Sequence, residues 1–87
     1  MRILITMELP NEVKEVIGDN LLEDVSICVV YKNYRGETAS RKIIPLRLYF
    51  GKTEYHPEKQ WLLHLWDLDR RDYRTYALKD IISWDFK

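Results

Sequence analysis

Apolar residues change their spacing near Val25, and the change separates a short helical segment from a series of strands. Before it, Val13, Val16 and Ile17 recur at helical spacing, and acidic residues crowd the start of the segment. Pro10 suits the first turn of a helix. The pattern therefore predicts one helix from Pro10 to Ile17.

The first residues of the chain also alternate. Ile3, Ile5 and Met7 are separated by single residues, which allows a short strand ahead of the helix. We divide the chain into an N-terminal extension over residues 1–24, which holds the helix, and a β-domain over residues 25–87.

After the change the apolar pattern has a period of two, and it breaks at clusters of turn-forming residues. This pattern predicts five short strands joined mostly by hairpins. The predicted strands are Val25–Lys32, Arg41–Phe50, Trp61–Trp66, Tyr73–Leu78 and Ile81–Phe86.

Pro45 interrupts the second predicted strand. Because proline cannot donate a ladder hydrogen bond, this strand must lie at an edge, bulge or bend there. Alternation places Ile44, Leu46, Leu48 and Phe50 on a common core face. A bent strand among five short ones predicts a mainly β fold, α+β by count. We expect a small twisted antiparallel barrel of the SH3 or Sm type after one helix, because closure removes exposed edges.

Charge is segregated along the chain although the formal net charge is zero. Residues 1–24 carry two basic side chains against six acidic ones, whereas residues 25–54 carry six basic against two acidic. Zero net charge excludes a protein that coats long nucleic acid by bulk electrostatics. The polarity can still orient an anionic ligand.

Cys28 is the only cysteine, so no intrachain disulfide forms and a reducing compartment is expected. The apolar run at the start is too short for a signal peptide, and no stretch approaches the length of a membrane span. We therefore expect a cytoplasmic protein with no membrane partner.

The patterns that catalysis and metal binding need are missing. The serines lack a nucleophile elbow, and His56 precedes a proline in a predicted loop. His64 lies on an apolar strand, where a structural histidine is more frequent than a catalyst. Cys28, His56 and His64 match no zinc motif in their spacing. The sequence predicts no enzyme, no metal and no cofactor.

Basic and aromatic residues are interleaved along the predicted strands. Arginine binds phosphate in a bidentate manner and stacks on rings, and tyrosine adds a stacking face with a hydroxyl, so together they suit nucleotides or single strands. The alternative interpretation is a solvated strand face with ordinary cross-strand pairs. The members of this basic–aromatic set are Tyr31, Tyr34, Arg35, Arg41, Arg47, Tyr49, Tyr73, Arg74 and Tyr76.

Several short motifs follow one another between Val25 and Trp84. They are Tyr31, Arg35-Gly36-Glu37, Arg41, Ile44-Pro45-Leu46, Trp61-Leu62-Leu63, Arg74-Thr75-Tyr76-Ala77-Leu78 and Asp80-Ile81. In order and spacing this set resembles the WYL domain of bacterial regulators. The resemblance implies a five-stranded Sm-like or SH3-like barrel that senses ligands, with nucleotides or single-stranded nucleic acid as the leading class. It also implies that the ligand-facing positions are Tyr31, Arg35, Arg41 and Arg74.

The chain departs from the family pattern in two places. Leu62 replaces the tyrosine of the motif that names the family, and Asp80 stands where a basic residue is frequent. A lost hydroxyl and a reversed charge are expected to change the ligand or abolish the site. Many family members carry a helix-turn-helix, but residues 1–24 have room for one helix and are acidic, so operator binding is not expected.

Two function classes follow. The first is a non-catalytic ligand-sensing module for transcription regulation, which binds a nucleotide or a short single-stranded nucleic acid through the four positions above. The second is a protein-interaction barrel, in which Trp61, Trp66, Trp84 or the acidic helix contacts a protein or a second copy. An exposed tryptophan would favour the second class.

Overall fold

A computed structural model describes residues 9–85, so the strand predicted over residues 3–7 lies outside the described part of the chain. Helix α1 covers Asn11–Ile17, and Pro10 precedes it in an extended conformation. Gly18 ends the helix with a φ of 58°, and its N–H donates to the carbonyl of Lys14. The predicted helix is confirmed.

A single helical turn, α2 at Leu22–Val25, occupies the start of the first predicted strand. The five predicted strands are present with small shifts at their ends. They are β1 Ile27–Lys32, β2 Thr38–Gly51, β3 Gln60–Asp67, β4 Asp72–Ala77 and β5 Ile81–Asp85, and a 3₁₀ turn at Leu78–Asp80 joins the last two.

The strands form one antiparallel sheet in the order β4-β3-β2-β1-β5. The mainly β fold is therefore confirmed. The predicted barrel is not, because within residues 9–85 no ladder joins β4 to β5 and the sheet is open. The outer edges of these two strands are not paired with each other.

The open sheet is strongly curled. The 3₁₀ turn of three residues spans at most about 15 Å between Ala77 and Ile81, although five flat strands would separate the outer two by about 19 Å. The ring of Tyr31 on β1 stacks on that of Tyr76 on β4, with centroids 4.1 Å apart. We call the face that carries these two rings the inner face and the opposite face the outer face.

Strand β2 lies in the middle of the sheet, and it bulges at Leu46. Pro45 pairs with Leu65, but Arg47 pairs with the preceding residue of β3, His64, so one extra residue is inserted. The predicted bulge is confirmed, and the alternative of an edge position is wrong. The missing N–H of proline falls where the ladder is already interrupted.

The bulge reverses the alternation of β2. Ile44 is buried on the outer face, whereas Leu48 and Phe50 lie on the inner face and are more than half exposed. The prediction of a common core face for Ile44, Leu48 and Phe50 is therefore wrong, because the residue inserted at Leu46 shifts the period of two by one.

Two apolar clusters hold the sheet, one on each face. The inner cluster consists of Ile27, Val29, Ile43, Leu63, Leu65 and Tyr76. The outer cluster joins α1 to the sheet and consists of Leu9, Val13, Ile17, Ile44 and Trp66. Burial of each such side chain contributes about 1.5–3 kcal/mol. No helix within residues 9–85 is long and apolar enough to cross a membrane.

Candidate ligand-binding site

Arg41 points to the inner face, where it lies opposite Val29 of β1. Only 25% of its side chain is exposed, and its Nε lies 3.8 Å from Oδ2 of Asp67, which is 1% exposed. This distance is too long for a hydrogen bond, so the contact is one of charge alone. One terminal nitrogen, Nη1, donates to the carbonyl of Ser40 at 3.0 Å. Nε has no hydrogen-bond partner in the described chain.

Asp67 is fixed by the turn that follows β3. Its Oδ1 accepts hydrogen bonds from the backbone N–H groups of Asp69 at 2.9 Å and Arg70 at 3.1 Å. These bonds hold the carboxylate in place with Oδ2 on the side of Arg41. The turn thus positions the negative charge that faces Arg41.

Tyr76 brings a second buried polar atom to the inner face. The residue is 7% exposed, and its hydroxyl has no partner of hydrogen-bond geometry within residues 9–85. Burial raises the pKa of Tyr76 far above its ordinary value, and the Tyr31 hydroxyl and the Asp67 carboxylate raise it further, while Arg41 acts in the opposite direction. The phenol therefore stays protonated and is able to donate a hydrogen bond.

Arg74 lies on the inner face too, on the edge strand β4. It is opposite Leu65 and two residues before Tyr76, so alternation directs both side chains of β4 inward. The guanidinium is exposed and makes no hydrogen bond or ion pair with the described residues. Arg74 is therefore an exposed cation on the face that also carries the two buried polar atoms.

Arg35 lies apart from the other three predicted positions. It belongs to the hairpin turn between β1 and β2, where its Nε donates to the Tyr34 hydroxyl at 3.2 Å and its guanidinium lies over the Tyr34 ring. The fold thus brings Tyr31, Arg41 and Arg74 to one face and leaves Arg35 at the tip of the hairpin.

The rest of the basic–aromatic set divides between the two faces. Arg47 and Tyr49 are on the outer face, where the guanidinium lies 5.0 Å from the ring centroid. Tyr73 is on the same side and stacks on His64 at 5.2 Å. Burial, and then the nearby carboxylate of Glu12 on α1, raise the pKa of Tyr73.

Sequence reasoning missed Asp67 as a member of the site. No local pattern connects this residue with Arg41, which lies far earlier in the chain. Tyr76 belonged to the basic–aromatic set, but its burial depends on the curl of the sheet. Residues 9–85 hold no group of three or more His, Cys, Asp or Glu that suits a metal ion.

The two departures from the family pattern lie away from this arrangement or at its border. Leu62 is fully buried on the outer face, opposite Tyr49 and Ala77. A tyrosine at this position would point away from Arg41. Asp80 is half-buried in the 3₁₀ turn after β4.

The fold and the inner face define a small β-domain in which an ion pair and a phenol lie at the rim of an apolar core. The family model of the WYL domain matches residues 12–85. The chain belongs to the WYL domain family, a family of regulatory, ligand-sensing and non-catalytic domains. The resemblance found in the motifs is thereby confirmed. A comparison with curated proteins gives no significant match.

Proposed function

We propose that this domain senses a nucleotide or a short single-stranded nucleic acid, which it binds on the inner face through Tyr31, Arg41 and Arg74. The observation that carries the proposal is a pair of buried polar atoms, Arg41 Nε and the Tyr76 hydroxyl, for which residues 9–85 supply no partner of full hydrogen-bond geometry. Buried polar groups in proteins are normally paired. Two such atoms on one face, which also carries the exposed guanidinium of Arg74, suit a ligand that supplies the partners.

The chemistry of the two atoms indicates an anionic ligand. Arg41 Nε is only ever a donor, and the raised pKa of Tyr76 keeps its hydroxyl a donor as well. Phosphate oxygens are acceptors that match both. Arg74 adds an exposed charge to attract the phosphate, and the ring of Tyr31 offers a surface on which a base can stack.

Arg35 has a secondary role in this proposal. The hairpin tip that carries it lies beyond the inner face, so its guanidinium contacts a phosphate outside the first nucleotide rather than the bound base. A longer strand then gains a contact that a mononucleotide lacks. The setting we propose is transcription regulation in a bacterial cytoplasm, in keeping with the regulators that carry WYL domains.

Fluorescence anisotropy with labelled short oligonucleotides and a labelled cyclic dinucleotide tests the proposal at low salt. Arg74→Ala is expected to weaken binding about tenfold, the value of one charge-assisted contact. Arg41→Ala leaves Asp67 as a buried unpaired charge, so the double variant Arg41→Ala/Asp67→Asn replaces it, with the same expected loss.

Lys59→Ala is the matched control, because it removes one exposed charge from the loop between β2 and β3. It should bind nearly as the wild type does. Binding should also weaken as salt rises. The site assignment is wrong if both arginine variants bind like the wild type at low salt.

A second candidate function, protein binding, is favoured by one observation. Leu48, Phe50 and Trp61 are 53%, 56% and 52% exposed and form one apolar patch at the end of the inner face. Phe50 and Trp61 meet edge to face at 5.4 Å. Trp66, in contrast, is buried under α1. Exposed aromatic patches of this kind mark interaction surfaces.

Affinity purification separates the two candidates. If the second is correct, a protein co-purifies with the wild type and is lost with Phe50→Ser/Trp61→Ser, while Arg74→Ala retains it. If nucleic acid co-purifies instead and depends on Arg74, the first candidate is supported.

A further inference from the structure

Strand β4 offers an unusually regular outer edge. It pairs with β3 over all of Asp72–Ala77 without a register shift, and within residues 9–85 no strand pairs with its other side. The opposite outer strand, β5, pairs with β1 through an irregular register. Proteins usually protect an outer strand with proline, lysine, a bulge or a cover. β4 has no proline, lysine or bulge, and its only charges are Asp72 and Arg74.

We propose that two copies of this chain pair through their β4 strands, antiparallel, about a two-fold axis at Tyr73. In this register, Asp72 of each copy lies opposite Arg74 of the other. Directly opposed side chains on neighbouring strands interact, so the axis is flanked by two equivalent ion pairs. A two-fold contact is self-complementary, and this strand supplies both charges that the contact needs.

The other symmetric registers are less favourable. An axis at Arg74 would place the two arginines directly opposite each other, which is destabilising. An axis at Thr75 would leave Arg74 opposite Tyr76 and would move the contact toward the 3₁₀ turn, where the chain crosses to β5. Only the axis at Tyr73 satisfies the charges and uses the half of β4 that lies farthest from this crossing.

A hydrogen bond at Tyr73 supports this register. The backbone N–H of Tyr73 donates to Oδ1 of Asp72 at 2.8 Å, so a side chain satisfies a donor of the strand. On pairing, this N–H donates instead to the carbonyl of Tyr73 in the second copy, and the carboxylate of Asp72 turns to Arg74 of that copy. Each lost bond is replaced, and the ring of Tyr73 keeps its contacts with His64 and Trp66 on the outer face.

Self-association then competes with the ligand, a consequence that rests on the proposed function. Arg74 is an exposed cation of the inner face with no ion-pair partner among residues 9–85, and in the proposed dimer it is also the partner of Asp72. A bound phosphate and the second copy therefore draw on one guanidinium. Because coupling between two binding events is reciprocal, ligand should shift the chain toward monomer, and a high protein concentration should weaken ligand binding.

Sedimentation equilibrium over a series of concentrations at low salt tests the pairing, with circular dichroism as the check on folding. The wild type should approach twice the monomer mass of 10.6 kDa. Asp72→Arg and Arg74→Asp each place like charges opposite each other and should remain monomeric. The double variant Asp72→Arg/Arg74→Asp restores both pairs and should recover the dimer. Arg47→Asp is the matched control and should dimerise, because Arg47 lies on the central strand β2, away from the proposed contact.

A cysteine test fixes the register without changing the two charges. In a Cys28→Ser background, Tyr73→Cys puts two cysteines about 5.5 Å apart at the axis, which suits a disulfide. Thr75→Cys places them about 13 Å apart, which does not. Tyr73→Cys should therefore cross-link under mild oxidation, and Thr75→Cys should not.

The proposal is overturned if the wild type is monomeric at every concentration, if it forms larger assemblies, or if only Thr75→Cys cross-links. It is also overturned if the folded double variant stays monomeric. These outcomes are separate from the proposed function, because the double variant should dimerise and yet lose the ligand contact of Arg74. If the wild type binds oligonucleotides but forms no dimer, the dimer proposal is wrong and the proposed function is unaffected.

Discussion

The two faces of the sheet are built differently. The outer face is sealed by α1 through aliphatic and aromatic contacts, whereas the inner face closes on itself by curling, and Tyr31 of β1 meets Tyr76 of β4 across it. The outer core has an apolar cover along its centre. The inner core keeps the charge contact of Arg41 with Asp67 and a buried phenol, Tyr76, whose hydroxyl is not hydrogen-bonded within residues 9–85.

This difference separates stability from function within one small sheet. The helix covers the centre of the outer face, so Ile44 and Trp66 beneath it serve packing. The inner face closes only by curvature, and it keeps two buried donors to which no residue of the described chain is hydrogen-bonded. Such donors lower stability and are the groups that the proposed ligand would use.

The largest expected effect is on the inner face. Asp67→Ala removes a buried carboxylate that holds two backbone N–H groups and faces Arg41, so it should lower the free energy of unfolding by about 3–5 kcal/mol. Urea denaturation measures the change. Asp69→Ala, at an exposed position of the same turn, should cost less than about 1 kcal/mol. Equal losses in the two variants would contradict a special role for Asp67.

The outer face should respond to the loss of apolar volume. Ile17→Ala opens a cavity between α1 and the sheet and should cost about 3 kcal/mol. Val16→Ala, at the exposed neighbouring position, should stay within about 0.5 kcal/mol of the wild type. Ligand binding should be unchanged in both once the proteins are folded, and anisotropy titration at low temperature checks this.

Leu62→Tyr restores the residue that names the family and sharpens the comparison of the faces. Because Leu62 is fully buried on the outer face, the larger ring should lower the free energy of unfolding by about 1–3 kcal/mol. It should not improve nucleotide binding. Ile82→Tyr, at an exposed position, is the control for the ring itself. A gain in affinity with Leu62→Tyr would place the ligand on the outer face.

Tyr76→Phe has a smaller effect of the opposite sign. It deletes a buried hydroxyl to which no residue of the described chain is hydrogen-bonded, so it should raise the free energy of unfolding by about 1 kcal/mol. The same change should weaken nucleotide binding, because a donor of the proposed site is lost. Tyr55→Phe, at an exposed residue of the loop between β2 and β3, should do neither. A destabilised Tyr76→Phe would show that the hydroxyl has a structural partner.

The smallest effect concerns alkaline pH. The pKa of Tyr76 lies above its ordinary value of 10.0 in the folded chain, so the unfolded chain releases this proton first. The contribution of Tyr76 to the free energy of unfolding should therefore be constant below about pH 10 and decrease as the pH rises above it. Tyr76→Phe should make this decrease less steep. A smaller decrease should remain in the variant, because the pKa of Tyr73 is raised in the same direction. An unchanged slope in Tyr76→Phe would contradict the assignment.

Local patterns were sufficient for α1 and the five strands, but they did not predict the single turn α2 or the 3₁₀ turn at Leu78–Asp80. Pro10 and the helical spacing predicted α1, the period of two predicted the strands, and Pro45 predicted the bulge. These features depend on neighbours in sequence. The motifs between Val25 and Trp84 also identified the family, because their order does not require knowledge of the curl.

The features that sequence did not reveal depend on distant partners. The contact of Arg41 with Asp67 joins the middle strand to the last residue of β3, and the burial of Tyr76 needs β1 to fold over β4. The openness of the sheet has a similar origin. Closure of the sheet requires hydrogen bonds between β5 and β4, and the sequence of neither strand alone determines whether these bonds form.

The single inserted residue at Leu46 has a consequence for any comparison of this chain with its relatives. On one side of it, even-numbered residues of β2 face the helix; on the other side, odd-numbered residues do. In a relative that lacks the insertion, the residues aligned with Arg47 and Tyr49 would lie on the opposite face. An alignment shifted by one position in this strand would thus equate residues from different faces. The number of residues in β2 therefore determines which side chains face the helix, as much as their types do.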